Sequence, residues 1–270
     1  MTVLQTLHSP QIPSDVESFL RLKPEAHSFL ASRLSALSEQ SRSVALIYRN
    51  LGRVEGVTYV GANLLPSFAS RAALSATADY LQSHPVTFSS IVGESQSVFS
   101  LWNLINQVAP PARLIRAHQP LMSISREPLI ESEPSVRIAR PEDLELVIAA
   151  GVEMFIGEVG EPPHKEDFRA RAIELMTLHR TFIIRQAGEI LFKSDIGAIG
   201  AGALQIHGVW VAPTHRGRGI GSRAMASVLR ASMEFAPRAS LYVNDFNLAA
   251  RASYKKVGFT EVGEFASIFL

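Results

Sequence analysis

Val209-Trp210-Val211-Ala212-Pro213-Thr214-His215-Arg216-Gly217-Arg218-Gly219-Ile220-Gly221-Ser222 is the stretch that decides how this chain is read. The apolar run from Ala203 to Val211 reads as a strand, and Pro213 ends it. A helix is expected from about Ser222 to Phe235, because Met225, Val228, Leu229 and Met233 recur at helical spacing. Between them lies a loop rich in glycine and arginine. Strand, tight loop and helix start together make an anion site. The unpaired N–H groups of the first helical turn point at the loop, and the helix dipole adds partial positive charge. Gly217, Gly219 and Gly221 let the backbone approach a phosphate without a Cβ in the way. Arg216 and Arg218 can add charge-assisted bonds. The loop lacks the Gly-Lys-Ser/Thr ending of a nucleoside triphosphate loop, and its flanking elements do not fit a dinucleotide fold. Taken alone, it is equally consistent with a plain glycine-rich turn bearing two solvated arginines.

Working outward, Thr181 to Arg185, Ile190 to Ile199 and Ala203 to Val211 read as strands. The short connections at Ala187-Gly188-Glu189 and Gly200-Ala201-Gly202 predict an antiparallel meander. Ser135 to Ala139 reads as a short strand. Pro141-Glu142-Asp143 opens a helix that carries Leu144, Val147, Ile148 and Met154 on one stripe. A second helix is expected over Lys165 to Leu178. Beyond the glycine-rich loop, Ala239 to Val243 reads as a strand. Asn247 is placed to cap a helix ending near Lys256, with Lys255 and Lys256 at its negative end and Gly258 at its left-handed stop. Two last strands are expected from about Phe259 to Leu270. The class is α/β (α+β): a mostly antiparallel mixed sheet flanked by helices.

The 270 residues suggest about two domains at roughly 100–200 residues each. Residues 126–134, with two prolines, three of the acids and no periodicity, read as a linker between a domain over 1–125 and one over 135–270. The N-terminal part reads as a smaller α/β unit. Helices are expected over Asp15 to Leu37, Arg71 to Leu81 and Val98 to Gln107. Strands are expected over Val44 to Tyr48, Gly56 to Gly61 and Val86 to Val92. There is no short repeat and no low-complexity segment.

Composition excludes several classes. The chain has no cysteine, which removes disulfides, thiolate metal sites and a cysteine nucleophile, and suits a cytoplasmic protein. Net charge is +1 and evenly spread, without the basic excess of a sequence-tolerant nucleic-acid binder. No apolar run reaches the roughly 18 residues of a membrane helix, and Met1 to Pro10 do not read as a signal peptide.

Two segments carry a family resemblance. Arg216-Gly217-Arg218-Gly219-Ile220-Gly221 matches the Arg/Gln-x-x-Gly-x-Gly/Ala signature of the GNAT superfamily of acetyltransferases, after a strand and before a helix. Asn247 to Phe259 is similar to the family's Asn-x-x-Ala-x-x-x-Tyr-x-x-x-Gly-Phe segment, with Tyr254, Gly258 and Phe259 in place. The resemblance covers roughly residues 135–270. It implies an acetyl-CoA cosubstrate, no metal, and a small-molecule or peptide amine as acceptor. Acetyl-CoA would wedge between the strands ending near Val211 and Val243. The backbone of Val209 and Val211 would pair with its pantetheine arm, and an N–H near Val209 would polarise the thioester carbonyl. The loop from Arg216 through Ser222 would hold the pyrophosphate. Asn247 would bond the cofactor arm or cap its helix. Tyr254 would protonate or orient the leaving sulfur, the bland alternative being a packing aromatic.

The base is open. Many relatives place a glutamate where this chain has Gln205. His207, two residues on, shares that face in a regular strand and has a suitable unperturbed pKa of about 6.5. A bulge at Gly208 would alter that facing. Glu158, Glu161 and Asp195 are further candidates for binding or deprotonating the amine, each equally readable as a solvated acid. The N-terminal order of elements loosely resembles a degenerate copy of the same fold. Its Gly93-Glu94-Ser95-Gln96 segment lacks arginine and repeated glycine, so phosphate binding is expected to be lost there. The expected activity is acetyl transfer from acetyl-CoA to a primary amine; the alternative, prompted by Gln205, is a noncatalytic acyl-CoA-binding or sensor protein.

Overall fold

The computed structural model describes residues 2–84 and 86–270. The N-terminal half runs β1 (Thr2–Leu7), α1 (Ser14–Leu20), α2 (Pro24–Leu34), β2 (Val44–Asn50), β3 (Arg53–Val60), β4 (Asn63–Phe68), α3 (Arg71–Ser83), β5 (Ser90–Glu94), α4 (Ser95–Ile105) and β6 (Leu114–Ile124). The C-terminal half repeats that order: β7 (Arg137–Ile138), α5 (Leu144–Val159), α6 (Lys165–Thr177), β8 (Thr181–Gln186), β9 (Glu189–Gly200), β10 (Ala203–Val211), α7 (Ile220–Ser232), β11 (Ala239–Tyr242), α8 (Leu248–Val257) and β12 (Thr260–Phe269).

Among the described residues, twelve strands form one sheet in the order β1-β2-β3-β4-β5-β12-β6-β11-β10-β9-β8-β7. The order is symmetric about its centre, and the centre is crossed. β12 leaves its own half to pair with β5, and β6 leaves its own half to pair with β11. The two exchanged strands also pair with each other. Residues 125–136 between the halves carry no helix or strand, yet the hydrogen-bonded ladder runs on beneath them. Two last strands were expected near the C-terminus, and there is one. The position beside β11 that a final hairpin strand would take is filled by β6.

Local chemistry explains the elements that position the site. α7 is amphipathic: Met225, Val228 and Leu229 are buried against the sheet, joining a core with Phe192, Ile196, Leu204 and Leu241. At about 1.5–3 kcal/mol for each such side chain, this burial outweighs helix propensity in fixing the helix. α8 is capped by the Asn247 side chain, which accepts from the Ala250 N–H at 3.2 Å, and ends at the left-handed Gly258. α5 is anchored at its entry by Asp143, whose side chain is fully buried. Its carboxylate accepts from Arg137 (2.7 and 3.0 Å), Arg185 (3.0 Å) and the Arg140 N–H (2.8 Å), and these bonds hold it well below the usual carboxylate range.

The halves also interlock through α2, which lies on the C-terminal strands β9 and β10. Glu25 on α2 pairs with Arg238 at 2.8 Å, and its carbonyl accepts from the Ser240 hydroxyl at 3.1 Å. The helix expected over Asp15 to Leu37 is broken before Pro24, whose ring cannot continue α1. The strand expected over Ser135 to Ala139 is a two-residue pairing at Arg137–Ile138. The strand expected at Val86 begins only at Ser90.

Candidate active site

The cleft follows from how β10 and β11 part. The two pair in parallel only through Leu204–Ala239 and Gln205–Ser240, and beyond those residues they diverge. On its other edge β10 slips register against β9 between His207 and Trp210, a bulge that includes Gly208. Gly208 has φ +59°, and a Cβ there would come within 2.8 Å of an Asp195 carboxylate oxygen, so a larger residue fits neither the backbone nor the space. The extra residue frees backbone N–H groups at Gly208–Val209 from the ladder. The resulting cleft is about 880 Å³ and is lined by Val209, Val211, Arg216, Gly217, Gly219, Ile220, Gly221, Ser222, Asn247 and Tyr254. His207 and Glu158 line it too.

At one end is the glycine-rich loop. Gly217 (φ +73°) and Gly219 (φ +76°) take left-handed conformations that L side chains rarely adopt. Gly219 is the residue before α7, and no side chain caps the helix. Its first-turn N–H groups are therefore available to an anion. Arg216 is turned back, its Nε donating to the Val211 carbonyl at 3.0 Å. Arg218 is exposed and does not line the cleft. The Ser222 and Ser253 hydroxyls meet at 2.7 Å and tie α7 to α8. Tyr254 is buried edge-on to Phe259, and burial pushes its phenol above the ordinary value.

At the other end stand His207, Glu158 and Tyr242. The His207 ring lies edge-on to Phe29 of α2 (5.7 Å) and to Tyr242 (6.2 Å). Its Nε2 and the Oε1 of fully buried Gln205 are 2.6 Å apart, so both side chains do share a face. With the amide in that orientation the imidazole donates from Nε2 and keeps Nδ1 as an acceptor. Burial, reinforced by Arg171, Arg33 and Lys193 and opposed by Asp195, lowers the ring to about 4. Burial likewise pushes Tyr242 up to about 12. Glu158 is reached by solvent at the cleft mouth, yet the protein around it raises its carboxyl, an effect that Arg116 partly offsets.

The remaining acids are committed elsewhere. Asp195 is buried in an ion pair with Lys193 and accepts from the Thr181 hydroxyl at 2.8 Å. Glu161 pairs with Arg113. Four lining residues escaped the sequence reading: Arg116 and Gln119 on β6, Tyr242 on β11 and Asn244 just after it. The first two come from the other half of the chain, so no local pattern announces them. Among the described residues, no group of three or more acidic or histidine side chains is placed to hold a metal ion, and no helix is long and apolar enough to cross a membrane.

The equivalent place in the N-terminal half is closed. β4 and β5 also pair in parallel through only two residues, but His27 and Phe29 fill the space beyond, leaving about 10 Å³. His27 is held there by the Leu20 carbonyl and the Ser67 hydroxyl, each at 2.9 Å. The repeated order of elements puts the counterpart of the 216–221 loop at Ala69–Ser70, between β4 and α3. It is not at Gly93 to Gln96, where the sequence reading looked for it. Two residues leave no loop to cradle a phosphate.

Comparison with known proteins bears on the fold. Residues 166–259 match the acetyltransferase (GNAT) family, and residues 45–147 match a domain of unknown function. No curated protein matches the chain. Among solved structures, a GNAT-family acetyltransferase from Colwellia psychrerythraea is 12% identical over 99% of each chain, with a TM-score of 0.59. A GCN5-related N-acetyltransferase from Sphaerobacter thermophilus is 17% identical over 97% of this chain and 94% of its own, also at 0.59. A tandem GNAT protein from the clavulanic acid biosynthesis pathway is 12% identical over 99% and 98%, at 0.54. At such identities the likeness concerns the fold, and it spans both halves. The match to the GNAT acetyltransferases therefore lies at residues 166–259, within a C-terminal half that is built into one sheet with an N-terminal half repeating its order of elements.

Proposed function

We propose that the protein transfers the acetyl group of acetyl-CoA to a primary amine on a small molecule or peptide. The observation that carries this reading is the single cleft joining the two ends of the site. An anion-binding loop with left-handed glycines lies at one end, and His207, Glu158 and Tyr254 line the same space. The pyrophosphate would sit on the N–H groups that open α7. The pantetheine arm would pair with the freed edge of Val209 and Val211, and a bulge N–H would hold the oxyanion.

The amine attacks the thioester carbonyl, and the adduct must lose an amine proton while sulfur departs. Neutral His207 is the group assigned to take that proton. A weakly basic ring is adequate, because the nitrogen becomes far more acidic once bonded to the carbonyl carbon. Glu158 at the mouth attracts the ammonium and accepts a proton as the amine enters. Tyr254 stays protonated throughout the working range and hydrogen-bonds the leaving sulfur.

Calorimetry with acetyl-CoA tests the donor site. Saturable binding at micromolar levels is expected for the natural chain. Gly219→Glu should abolish it, since the variant puts a side chain at a left-handed position and a negative charge where the pyrophosphate would lie. No binding of any acyl-CoA by the natural chain would sink the proposal. Binding without CoA release across a panel of amines and peptides would favour a noncatalytic acyl-CoA sensor instead.

A further inference from the structure

Arg116 belongs to the half of the chain in which the equivalent of the site is closed. It stands on β6, the strand that half inserts beside β11. In this strand Leu121 lies opposite Tyr242, so Gln119 shares the Tyr242 face. That is also the face of the His207 ring. The Arg116 guanidinium packs 5.4 Å from the Phe269 ring centroid, and one Nη donates to the Glu158 carbonyl at 2.6 Å. Among the described residues no carboxylate stands within ion-pairing distance of it, although its charge is felt at the Glu158 carboxyl, whereas nearby Arg113 is paired with Glu161. A half-buried, unpaired guanidinium with its position fixed by stacking and a backbone bond is a preorganised fork for a planar anion.

The floor beside it is rigid. The buried Gln119 amide accepts from the Ser267 hydroxyl at 2.7 Å and donates to Asn244 at 3.0 Å. Glu158, whose own carbonyl Arg116 holds, offers the opposite charge at the same mouth. A ligand answering both charges carries an ammonium and an anion together.

We propose that Arg116 binds an anionic group of the acceptor, that the acceptor is therefore an amine that also carries a carboxylate, and that presenting this arginine is the contribution of the N-terminal half to the reaction. The inference rests on the acetyl-transfer reading above. It gives the matched domain of unknown function a role in acceptor selection, since Arg116 lies inside residues 45–147.

The test uses the full chain, acetyl-CoA and matched amines: leucine against leucinamide, and 4-aminobutyrate against butylamine, followed by CoA thiol release. In at least one pair the acid should exceed its neutral partner by roughly tenfold in kcat/KM. Arg116→Gln should bring that ratio near unity by raising KM for the acid, with acetyl-CoA affinity unchanged. Arg116→Lys should keep part of the preference. Arg113→Gln, which releases Glu161 just beyond α5 without removing the cleft cation, should keep it all. Equal use of acid and neutral amines by the natural chain overturns the proposal without any variant, and so does a ratio that Arg116→Gln leaves intact. If no amine is acetylated, calorimetry of N-acetylleucine against N-acetylleucinamide on CoA-saturated protein separates the two readings. An Arg116-dependent preference for the acid keeps the anion site and removes the transferase. No preference overturns the anion site as well.

Discussion

Acid should destabilise the folded chain through His207, by an amount its surroundings set. The ring titrates near 4 in the fold, pushed down first by burial and then by Arg171, Arg33 and Lys193 against the pull of Asp195. In an unfolded chain it titrates near 6.5. The unfolded state therefore takes up the proton first. The stabilising preference for the neutral ring is fully present above about pH 6.5 and is lost as the pH falls toward about 4. Between about pH 7 and about pH 4.5 the linkage relation gives a loss of about 2 kcal/mol from this residue alone. Other groups add their own pH dependence, including buried His27, which burial also lowers. The measurement is therefore a difference. Urea unfolding of the natural chain and of His207→Gln is followed at both pH values by the fluorescence of Trp102 and buried Trp210. The natural chain should lose about 2 kcal/mol more than the variant over this interval. Parallel losses, within about 0.5 kcal/mol, would show that the folded ring titrates normally and would remove the basis for a neutral His207 as proton acceptor.

Two further outcomes are expected. Tyr254→Phe keeps the ring against Phe259 but removes the hydroxyl, so kcat should fall roughly a hundredfold while acetyl-CoA affinity stays put; unchanged turnover in a rapid thiol assay would assign Tyr254 to packing alone. A fragment of residues 126–270 should aggregate or unfold without cooperativity, because β11 loses β6 and β12 loses both neighbours. Co-expression with residues 1–125 should restore it, and a soluble fragment with a sharp melting transition would contradict the exchange.

The parts of the site legible in the sequence were those written locally. Ala203 to Val211 lies in one strand as expected, and Gly219 before α7 and Asn247 before α8 stand where their backbone preferences put them. β4 was missed because Pro66 sits inside it; β3 pairs with it on one side, but β5 reaches only its first two residues, so the proline costs little. β1 was missed because it is an edge strand with little burial to impose a pattern. β6 was missed because His118-Gln119-Pro120 breaks any alternation, and its burial comes from strands that lie far along the chain. Arg116 and Gln119 went unseen with it. Asn244 offered a faint signal, a polar residue directly after a buried strand, and Tyr242 none beyond its strand. Glu161 looked like a free acid because its partner Arg113 lies just before β6, in the other half of the chain, whereas the pairing of Asp195 with Lys193, two residues away on one face of an expected strand, was open to a sequence reading.

The strand exchange also bears on how such a chain reaches its fold. Gln119 and Ser267, bonded across β6 and β12, are 148 residues apart in sequence. Until β12 arrives, β5 presents an unpaired ladder, and until β6 is seated, so does β11. Contacts of that range are slow to form, and the intermediates that precede them are prone to pair with one another. A partly folded copy has the strand its neighbour lacks. Reciprocal insertion between two chains would satisfy the same ladder, so the concentration during refolding should decide how much of the product is intertwined dimer.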